Sequence, residues 1–465
     1  MCSMYKENIP EKIPDAVTNV YFLGIGGIGM SALARYFKAR GYRVGGYDRT
    51  PSKLTEKMEK EEGITVNYRD DPAEIAPEFR NPGSTLVVYT PAIPADNRQK
   101  IYFGESGHGL YKRSEVLGLI SRQWRAICVA GTHGKTTVST MTAFLLDRSK
   151  VGCNAFLGGI AENFGSNLVL NPDSDYVVIE ADEFDRSFLQ LNPELAVITS
   201  MDNDHMDIYG NRANLTEAFE EFALRVKKGG KIYLKKGLTL EKREVAGYYG
   251  VGPEADCYSD NLRIDDGHYV FDYHGRKNEM CGLVMGIPGR LNVENATAAI
   301  TLALEVGVTE SEIRAALPLF RGVERRFSIR ANRNGRLYID DYAHHPREIE
   351  ATLLSIREMW PGQPLTIAFQ PHLYSRTRDF YREFAKSLSL ADRVILLDIY
   401  PARELPIPGI NSGIILKLLT VPGVVLSKEA LLDFVSEEFR SGILVTAGAG
   451  DIDRLVKDIA EKVNS

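Results

Sequence analysis

Ala126-Ile-Cys-Val-Ala-Gly131-Thr132-His133-Gly134-Lys135-Thr136-Thr137 joins an apolar run to a glycine-rich turn, and the helix-forming stretch Ser139-Thr-Met-Thr-Ala-Phe-Leu-Leu146 follows at once. That order reads as strand, phosphate loop and helix. Backbone N–H groups of such a loop point at phosphate oxygens, and the helix N-terminus favours their negative charge. Lys135 is placed to reach the outer phosphates of ATP, and the Thr136 hydroxyl to sit on Mg²⁺. The general nucleotide loop has glycine five residues before Gly134, where this chain has Val129. The loop is therefore a shorter variant. A turn needed only to connect a strand to a helix has no use for Gly-Lys-Thr-Thr.

Upstream stands a second loop. The strand Val20-Tyr-Phe-Leu23 runs into Gly24-Ile-Gly26-Gly27-Ile28-Gly29, then a helix from Met30, then the strand Arg43-Val-Gly-Gly-Tyr47 closed by Asp48. Alone, this pattern reads as a dinucleotide site with the aspartate on a ribose. The same loop serves any ligand with a diphosphate. A dehydrogenase has no need of Gly-Lys-Thr-Thr, so the two loops together predict two phosphorylated ligands: ATP at Lys135 and a nucleotide-linked substrate at Gly24–Gly29. A further strand, Thr85–Tyr89, leads into Thr90-Pro-Ala92-Ile93-Pro94.

Downstream, polar clusters follow apolar strands, where open α/β sheets place their ligands. Glu180-Ala-Asp182-Glu183-Phe-Asp185 suits Mg²⁺, which takes one or two carboxylates with phosphate oxygens and water. Asp202-Asn-Asp204-His205-Met-Asp207 offers a second set, with His205 as a ligand. Asp340-Asp341-Tyr342-Ala-His344-His345-Pro346 lacks a third ligand at zinc spacing. In Gln370-Pro-His-Leu373-Tyr-Ser-Arg376-Thr-Arg378-Asp379 the arginines suit a carboxylate or phosphate clamp, although Arg378 has an acid beside it to pair with.

Alternating strands and helices predict an α/β chain with parallel sheets. Three domains are expected from 465 residues: Rossmann-like at 1–120, a central P-loop-type ATP-binding domain at 121–324, and a Rossmann-like domain at 325–465. The short strands around Cys257–Leu283, with Asp-Asp-Gly and His-Gly turns, predict a small antiparallel sheet within the central domain. A net charge of −6 gives no sequence-wide signal for nucleic acid. No apolar run is long enough to span a membrane, and the first residues carry no secretory signal. Five scattered cysteines form no metal or disulfide pattern, so a reduced, cytoplasmic setting is expected.

Six motifs occur in a fixed order: Gly-Thr-His-Gly-Lys-Thr-Thr, Glu-Ala-Asp-Glu, Asp-His-Met-Asp, Asn292-x-x-Asn295 before an alanine-rich helix, Arg325-Arg326-Phe, and Asp-Asp-Tyr-Ala-His-His-Pro. Over nearly its whole length the chain resembles the Mur ligases of peptidoglycan synthesis. Gly24–Ala34 and Gly448-Ala-Gly450-Asp451-Ile resemble the alanine-adding branch. The resemblance implies ligation of L-alanine to UDP-N-acetylmuramate, with ATP and Mg²⁺, through an acyl phosphate. It implies Thr136 and Glu180 on the ATP-side Mg²⁺, and His205 with Glu180 on a substrate-side one. Gly131–Thr137 would hold the phosphates and Lys135 offset the charge of two anions brought together. Asn292 and Asn295 would lie by adenine. Arg325 or Arg326, and Asp340 or Asp341, would reach the nucleotide. Gly26, Gly27, Ile28, Gly29, Asp48, Thr90, Ala92 and Ile93 would hold the UDP part. Tyr342, His345, Arg376 and Arg378 would contact the amino acid, His345 as a catalytic group.

One position departs from the family pattern. Alanine ligases often carry Arg where Leu373 stands, so the carboxylate clamp lacks a partner unless Arg378 or another group replaces it. No Lys occurs between His205 and Lys227, where other branches carry a carbamylated one. The nearest alternative is a sister ligase that attaches a preformed peptide to the same UDP-sugar. More distant are an NAD-dependent oxidoreductase, which leaves Lys135 unexplained, and a nucleotide-gated binding protein, which needs no acceptor clusters at Asp340–Pro346 and His372–Arg378. Oligomeric state is not legible in the sequence.

Overall fold

A computed structural model describes residues 12–202, 206–402 and 404–465. Three sheets organise it. The first contains β1 (Asn19–Leu23), β2 (Arg43–Tyr47), β3 (Thr65–Asn67), β4 (Thr85–Tyr89) and β5 (Gly109–Lys112), in the order β3-β2-β1-β4-β5. Every pair is parallel. The order reverses between β1 and β4, which makes the carboxyl end of β1 a switch point. Buried apolar side chains line both faces, Phe22, Phe37 and Val88 on one and Tyr21, Phe79 and Phe103 on the other. A parallel sheet requires that double burial.

The second sheet is built from β6 (Arg125–Ala130), β7 (Asn154–Ala161), β8 (Ser166–Val169), β9 (Tyr176–Ala181), β10 (Leu195–Ile198), β11 (Lys231–Lys235), β12 (Gly247–Val251), β13 (Cys257–Asp265), β14 (His268–His274) and β15 (Glu279–Val284). Its order is β15-β14-β13-β12-β11-β10-β6-β9-β7-β8. Strand β6 is seventh of the ten, parallel to β10 on one side and β9 on the other. The expected hairpin signal is borne out at Asp266–Gly267, where φ of 45° and 73° gives the positive-φ pair that a two-residue hairpin turn requires.

The third sheet has the order β16-β17-β21-β18-β19-β20, from β16 (Ser328–Arg333), β17 (Arg336–Asp341), β18 (Leu365–Phe369), β19 (Arg393–Leu396), β20 (Gly423–Val425) and β21 (Gly442–Ala447). It is parallel except for β16 against β17.

The chain forms two compact units. One runs to Asp260 and takes in Asp272–Cys281 and Asn295–Leu317; the other comprises Asn261–Phe271, Gly282–Glu294 and Pro318–Ser465. The boundary expected at residue 120 falls inside the first unit, where one apolar cluster runs from Val20 and Phe37 through Phe156 to Leu234. The helix Ile28–Ala39 supplies that continuity: the rings of Tyr36 and Phe156 lie 5.4 Å apart, and Asn167 donates to Ser31 Oγ at 3.1 Å. Among the described residues no helix is long and apolar enough to cross a membrane.

Candidate active site

Strand register builds the phosphate site. Val129 pairs with Glu180 and Ala130 with Ala181 across β6 and β9, while Ala130 pairs with Ile198 across β6 and β10. Three parallel strands thus end level, and the residues that follow them meet: Gly131–Thr137, Asp182–Asp185 and Thr199–Asp202. Glu180 and Asp340–Asp341 are among the last two residues of their strands rather than after them. Pairing to β6 and β21 carries each strand past its apolar run.

Gly131 has φ 135° and Gly134 φ 82°, conformations that side chains other than glycine's rarely adopt. A Cβ on Gly131 would also collide with Thr199 and with the Ser200 nitrogen. The loop is clamped from β10: Ser200 Oγ accepts from His133 N at 2.7 Å and bonds to Thr132 Oγ1 at 2.9 Å, and Thr199 donates to the Ala130 and His133 carbonyls. Gly134 caps the helix Lys135–Asp147, whose first turn holds Thr136 and Thr137. The Asn295 amide oxygen lies 3.1 Å from the place a Gly134 Cβ would take. His133 Nε2 stands 3.9 Å from Asp202.

Lys135 Nζ donates to the Gly131 carbonyl at 2.6 Å and to Glu183 Oε2 at 2.7 Å. Burial pulls its ammonium down, but Glu183, Asp182 and Glu180 outweigh this and push it up to about 12. It is fully charged at neutral pH. Thr136 Oγ1 donates to Glu180 Oε1 at 3.1 Å, and Gly158 N donates to the other Glu180 oxygen at 3.0 Å. A hydroxyl and a carboxylate thus converge one residue beyond Lys135, a donor pair that suits Mg²⁺ sharing its other positions with phosphate and water. Among the described residues no group of three or more His, Cys, Asp or Glu is arranged to hold a metal. Asn203, Asp204 and His205 lie outside the described residues.

The second loop sits at the β1 switch point. Asp48 Oδ2 accepts from Gly26 N at 2.7 Å, so this carboxylate organises the loop. Gly24 has φ 87°, and a Cβ there would meet the Thr90 methyl at 2.6 Å and Ile93 at 3.5 Å. Gly27 caps the helix that begins at Ile28, and the Ile28 carbonyl accepts from Ser31 and from Asn167. Ala92 is exposed beside Ile93. A Cβ on Gly29 would press on the Arg113 guanidinium, and Arg113 reaches Asp182 at 3.4 Å. Arg113 therefore links the Gly24–Gly29 loop to the acidic stretch that follows β9.

In the second unit, adjacent identical residues separate into different roles. Arg325 donates to the Gly448 carbonyl at 2.7 Å and pairs with buried Asp340 at 3.7 Å and with Asp453 at 3.5 Å. Asp340 also accepts from Thr446 at 2.9 Å. This pair ties β17 to β21. Arg326 donates its backbone N–H to the Val323 carbonyl at 3.1 Å, and its guanidinium stands over the Tyr342 ring at 5.1 Å. Asp341 accepts from Thr352 Oγ1 at 2.6 Å and Ala343 N at 3.1 Å. Burial raises its carboxyl to about 6, against the opposing pull of Thr352 and Arg326.

His345 caps the helix Pro346–Met359 and packs on Phe380 at 5.1 Å. His344 faces inward, its Nδ1 3.0 Å from the Tyr342 carbonyl and its ring 6.3 Å from His372. Burial pulls the His344 ring below its usual value; Glu348 opposes this, and Arg376 reinforces it. Arg376 thus stands near His344. Arg378 pairs with its neighbour Asp379 at 2.7 Å, both half exposed. Asn292 Nδ2 donates to the Pro288 carbonyl at 2.5 Å.

Sequence reasoning missed the parts that hold the site rather than touch a ligand. Glu183 was visible within its motif but not as the partner of Lys135. Thr199 and Ser200 carry no signal in the sequence beyond standing at the end of an apolar strand and just after it, and Arg113 carries none.

A phosphate loop with an acid from the neighbouring strand, in a chain that builds two further α/β sheets before and after it in sequence, defines an ATP-dependent enzyme of modular build. Three family models match in chain order: the Mur ligase family catalytic domain at residues 19–125, the Mur ligase middle domain at 129–303, and the Mur ligase glutamate ligase domain at 325–450. The chain belongs to the Mur ligase family. It is 48% identical over 456 residues to a UDP-N-acetylmuramate–L-alanine ligase of Phocaeicola vulgatus, covering 97% of this chain and 99% of the relative. It is 50% identical over 443 residues to the protein of the same name from Porphyromonas gingivalis, covering 94% and 97%. The crystal structure of the UDP-N-acetylmuramate–alanine ligase from Thermotoga maritima superposes with a TM-score of 0.81 at 26% identity, covering 96% of this chain and 98% of that one. A murein peptide ligase from Psychrobacter arcticus shares the fold, with a TM-score of 0.67 at 22% identity and coverage of 95% and 99%.

Proposed function

We propose that this chain joins L-alanine to the lactyl carboxylate of UDP-N-acetylmuramate at the expense of ATP, a cytoplasmic step of peptidoglycan precursor synthesis. The near-full-length likeness to alanine ligases carries the substrate assignment. The carboxylate oxygen attacks the γ-phosphorus and ADP leaves. The alanine amine attacks the acyl carbon of the resulting acyl phosphate, the C–O bond to phosphate breaks, and an amide, inorganic phosphate and a proton are released.

Lys135 offsets the repulsion between the carboxylate and the triphosphate, an effect strongest where water is excluded. Thr136 and Glu180 are the residues that would hold Mg²⁺, whose chemistry is to neutralise charge developing on the transferred phosphoryl group. His205, with Glu180, is the proposed holder of a second ion. Gly131–Thr137, Asn292, Asn295, Arg325 or Arg326 and Asp340 or Asp341 serve ATP. Since Arg325 and Asp340 are engaged with each other, Arg326 and Asp341 are the better placed of each pair. Gly26–Gly29, Asp48, Thr90, Ala92 and Ile93 serve the UDP part. Tyr342, His345, Arg376 and Arg378 serve the amino acid. The working division of the chain is 1–120, 121–324 and 325–465.

Phosphate release from ATP in an omission matrix tests this. Release that requires the UDP-sugar and L-alanine together is expected. Release that prefers a preformed peptide would move the assignment to the sister ligase. Release indifferent to the UDP-sugar would refute the assignment of the first sheet.

A further inference from the structure

The helix Tyr374–Leu388 carries Arg376 in its first turn. Its N-cap is Leu373, which offers no side-chain acceptor and has φ 69°. Four N–H groups at a helix start need partners, and an aliphatic cap in the left-handed region satisfies none of them. The missing acceptor comes from a distant loop. Glu404 Oε2 accepts from Ser375 N at 3.0 Å, and Oε1 accepts from Ser375 Oγ.

Glu404 sits at the end of a segment already fastened to the same place. Leu373 N donates to the Tyr400 carbonyl at 3.0 Å, Tyr400 N donates to the Pro371 carbonyl at 2.8 Å, and the His372 and Tyr400 rings stack 5.7 Å apart. Glu404 itself closes a turn onto the Pro401 carbonyl at 2.9 Å. A carboxylate at a helix N-terminus also complements the helix dipole. Burial alone would raise this carboxyl, but the Ser375 and Tyr374 donors, with His372, hold it below the usual range. It is ionised at neutral pH.

We infer that Glu404 is a positioning residue for the amino-acid substrate, fixing the first turn of the helix so that Arg376 meets the substrate carboxylate. The arrangement bears on the absent arginine at Leu373. With one clamping arginine fewer than the family pattern, the placement of the remaining one depends on its helix start, and Glu404 replaces the cap that Leu373 cannot provide. This rests on the assignment of Arg376 to the amino acid.

The test is steady-state kinetics of Glu404→Ala and Glu404→Gln on the full chain, with each substrate varied in turn and the melting temperature recorded. Glu404→Ala is expected to raise KM for L-alanine about tenfold or more, with KM for ATP and for the UDP-sugar within twofold of wild type. Glu404→Gln keeps one acceptor oxygen and is expected to recover most of that loss. Ser375→Ala, which removes only the hydroxyl donor, gives a folded variant with a smaller shift in the same direction, and adds little to Glu404→Ala in the double variant. A parallel rise in all three KM values, or a lowered melting temperature with unchanged KM for L-alanine, would overturn the inference. If wild type shows no dependence on L-alanine, the failure lies in the functional assignment and not in Glu404.

Discussion

Lys135 Nζ and Glu183 Oε2 lie 2.7 Å apart, with the Lys135 side chain 12% exposed and that of Glu183 fully buried. The lysine that the sequence assigns to the phosphates is held by an acid from the loop after β9. A buried charge stripped of its partner costs about 3–5 kcal/mol. Lys135→Ala should therefore abolish turnover and also lower the melting temperature. Adding Glu183→Gln should restore the melting temperature without restoring turnover. Thermal unfolding and phosphate release on the two variants check this; recovery of turnover in the double variant would show that Lys135 acts only through Glu183.

Glu180 bridges Thr136 and the Gly158 amide. Replacing it with glutamine preserves the shape and removes the charge. Glu180→Gln should raise the Mg²⁺ concentration for half-maximal activity at least tenfold, equivalent to about 1.4 kcal/mol of metal binding or more. An activity titration with Mg²⁺ after chelation reads it directly. An unchanged midpoint would remove Glu180 from the metal site.

The parts of this site legible in the sequence are those fixed by local chemistry. Gly131 and Gly134 announce positive φ, and Lys135-Thr136 announces a phosphate. The strands around them read correctly because parallel strands buried on both faces are continuous apolar runs. Glu180 and Asp341 were harder: each is a charged residue inside a strand, kept there by pairing to β6 and β21, and local propensity cannot see a partner strand. The roles of Arg325 and Arg326 diverge through contacts with residues more than a hundred positions away, Gly448 and Asp453 among them. Glu404 belongs to the same group, since nothing in Pro401–Glu404 names Ser375 as its partner.

Gly26 and Gly27 make a paired test of the UDP-sugar loop. A Cβ on Gly26 would lie 2.8 Å from both Asp48 Oδ2 and the Thr55 methyl, whereas the nearest atom to a Cβ on Gly27 is 3.5 Å away, in ordinary contact. Overpacking costs about 1–3 kcal/mol, so Gly26→Ala should lower stability and raise KM for the UDP-sugar. Gly27→Ala should leave stability unchanged. A raised KM for the UDP-sugar in that variant, with KM for ATP unchanged, would then report a ligand lying against Gly27. Calorimetry and initial rates separate the two effects. Equal loss of stability in both variants would contradict the geometry.

Asp341 gives a pH dependence whose sign is fixed by its burial. Its carboxyl is raised to about 6 in the folded chain, above the unfolded value near 3.9. Between those values the folded state binds more protons than the unfolded one, so stability falls as pH rises through the window. A shift of roughly two units corresponds to about 3 kcal/mol at most, the penalty being complete above pH 6 and absent below about pH 4. Asp341→Asn, which keeps an oxygen for the Thr352 hydroxyl, should flatten the melting temperature between pH 4 and 6 relative to wild type. If Arg326 and bound nucleotide draw on the ionised carboxylate, ATP should stabilise wild type more at pH 7.5 than at pH 5, and the asparagine variant equally at both. Melting curves of the two proteins at the two pH values, with and without ATP, decide it; an identical pH slope in both would mean Asp341 does not titrate in this range.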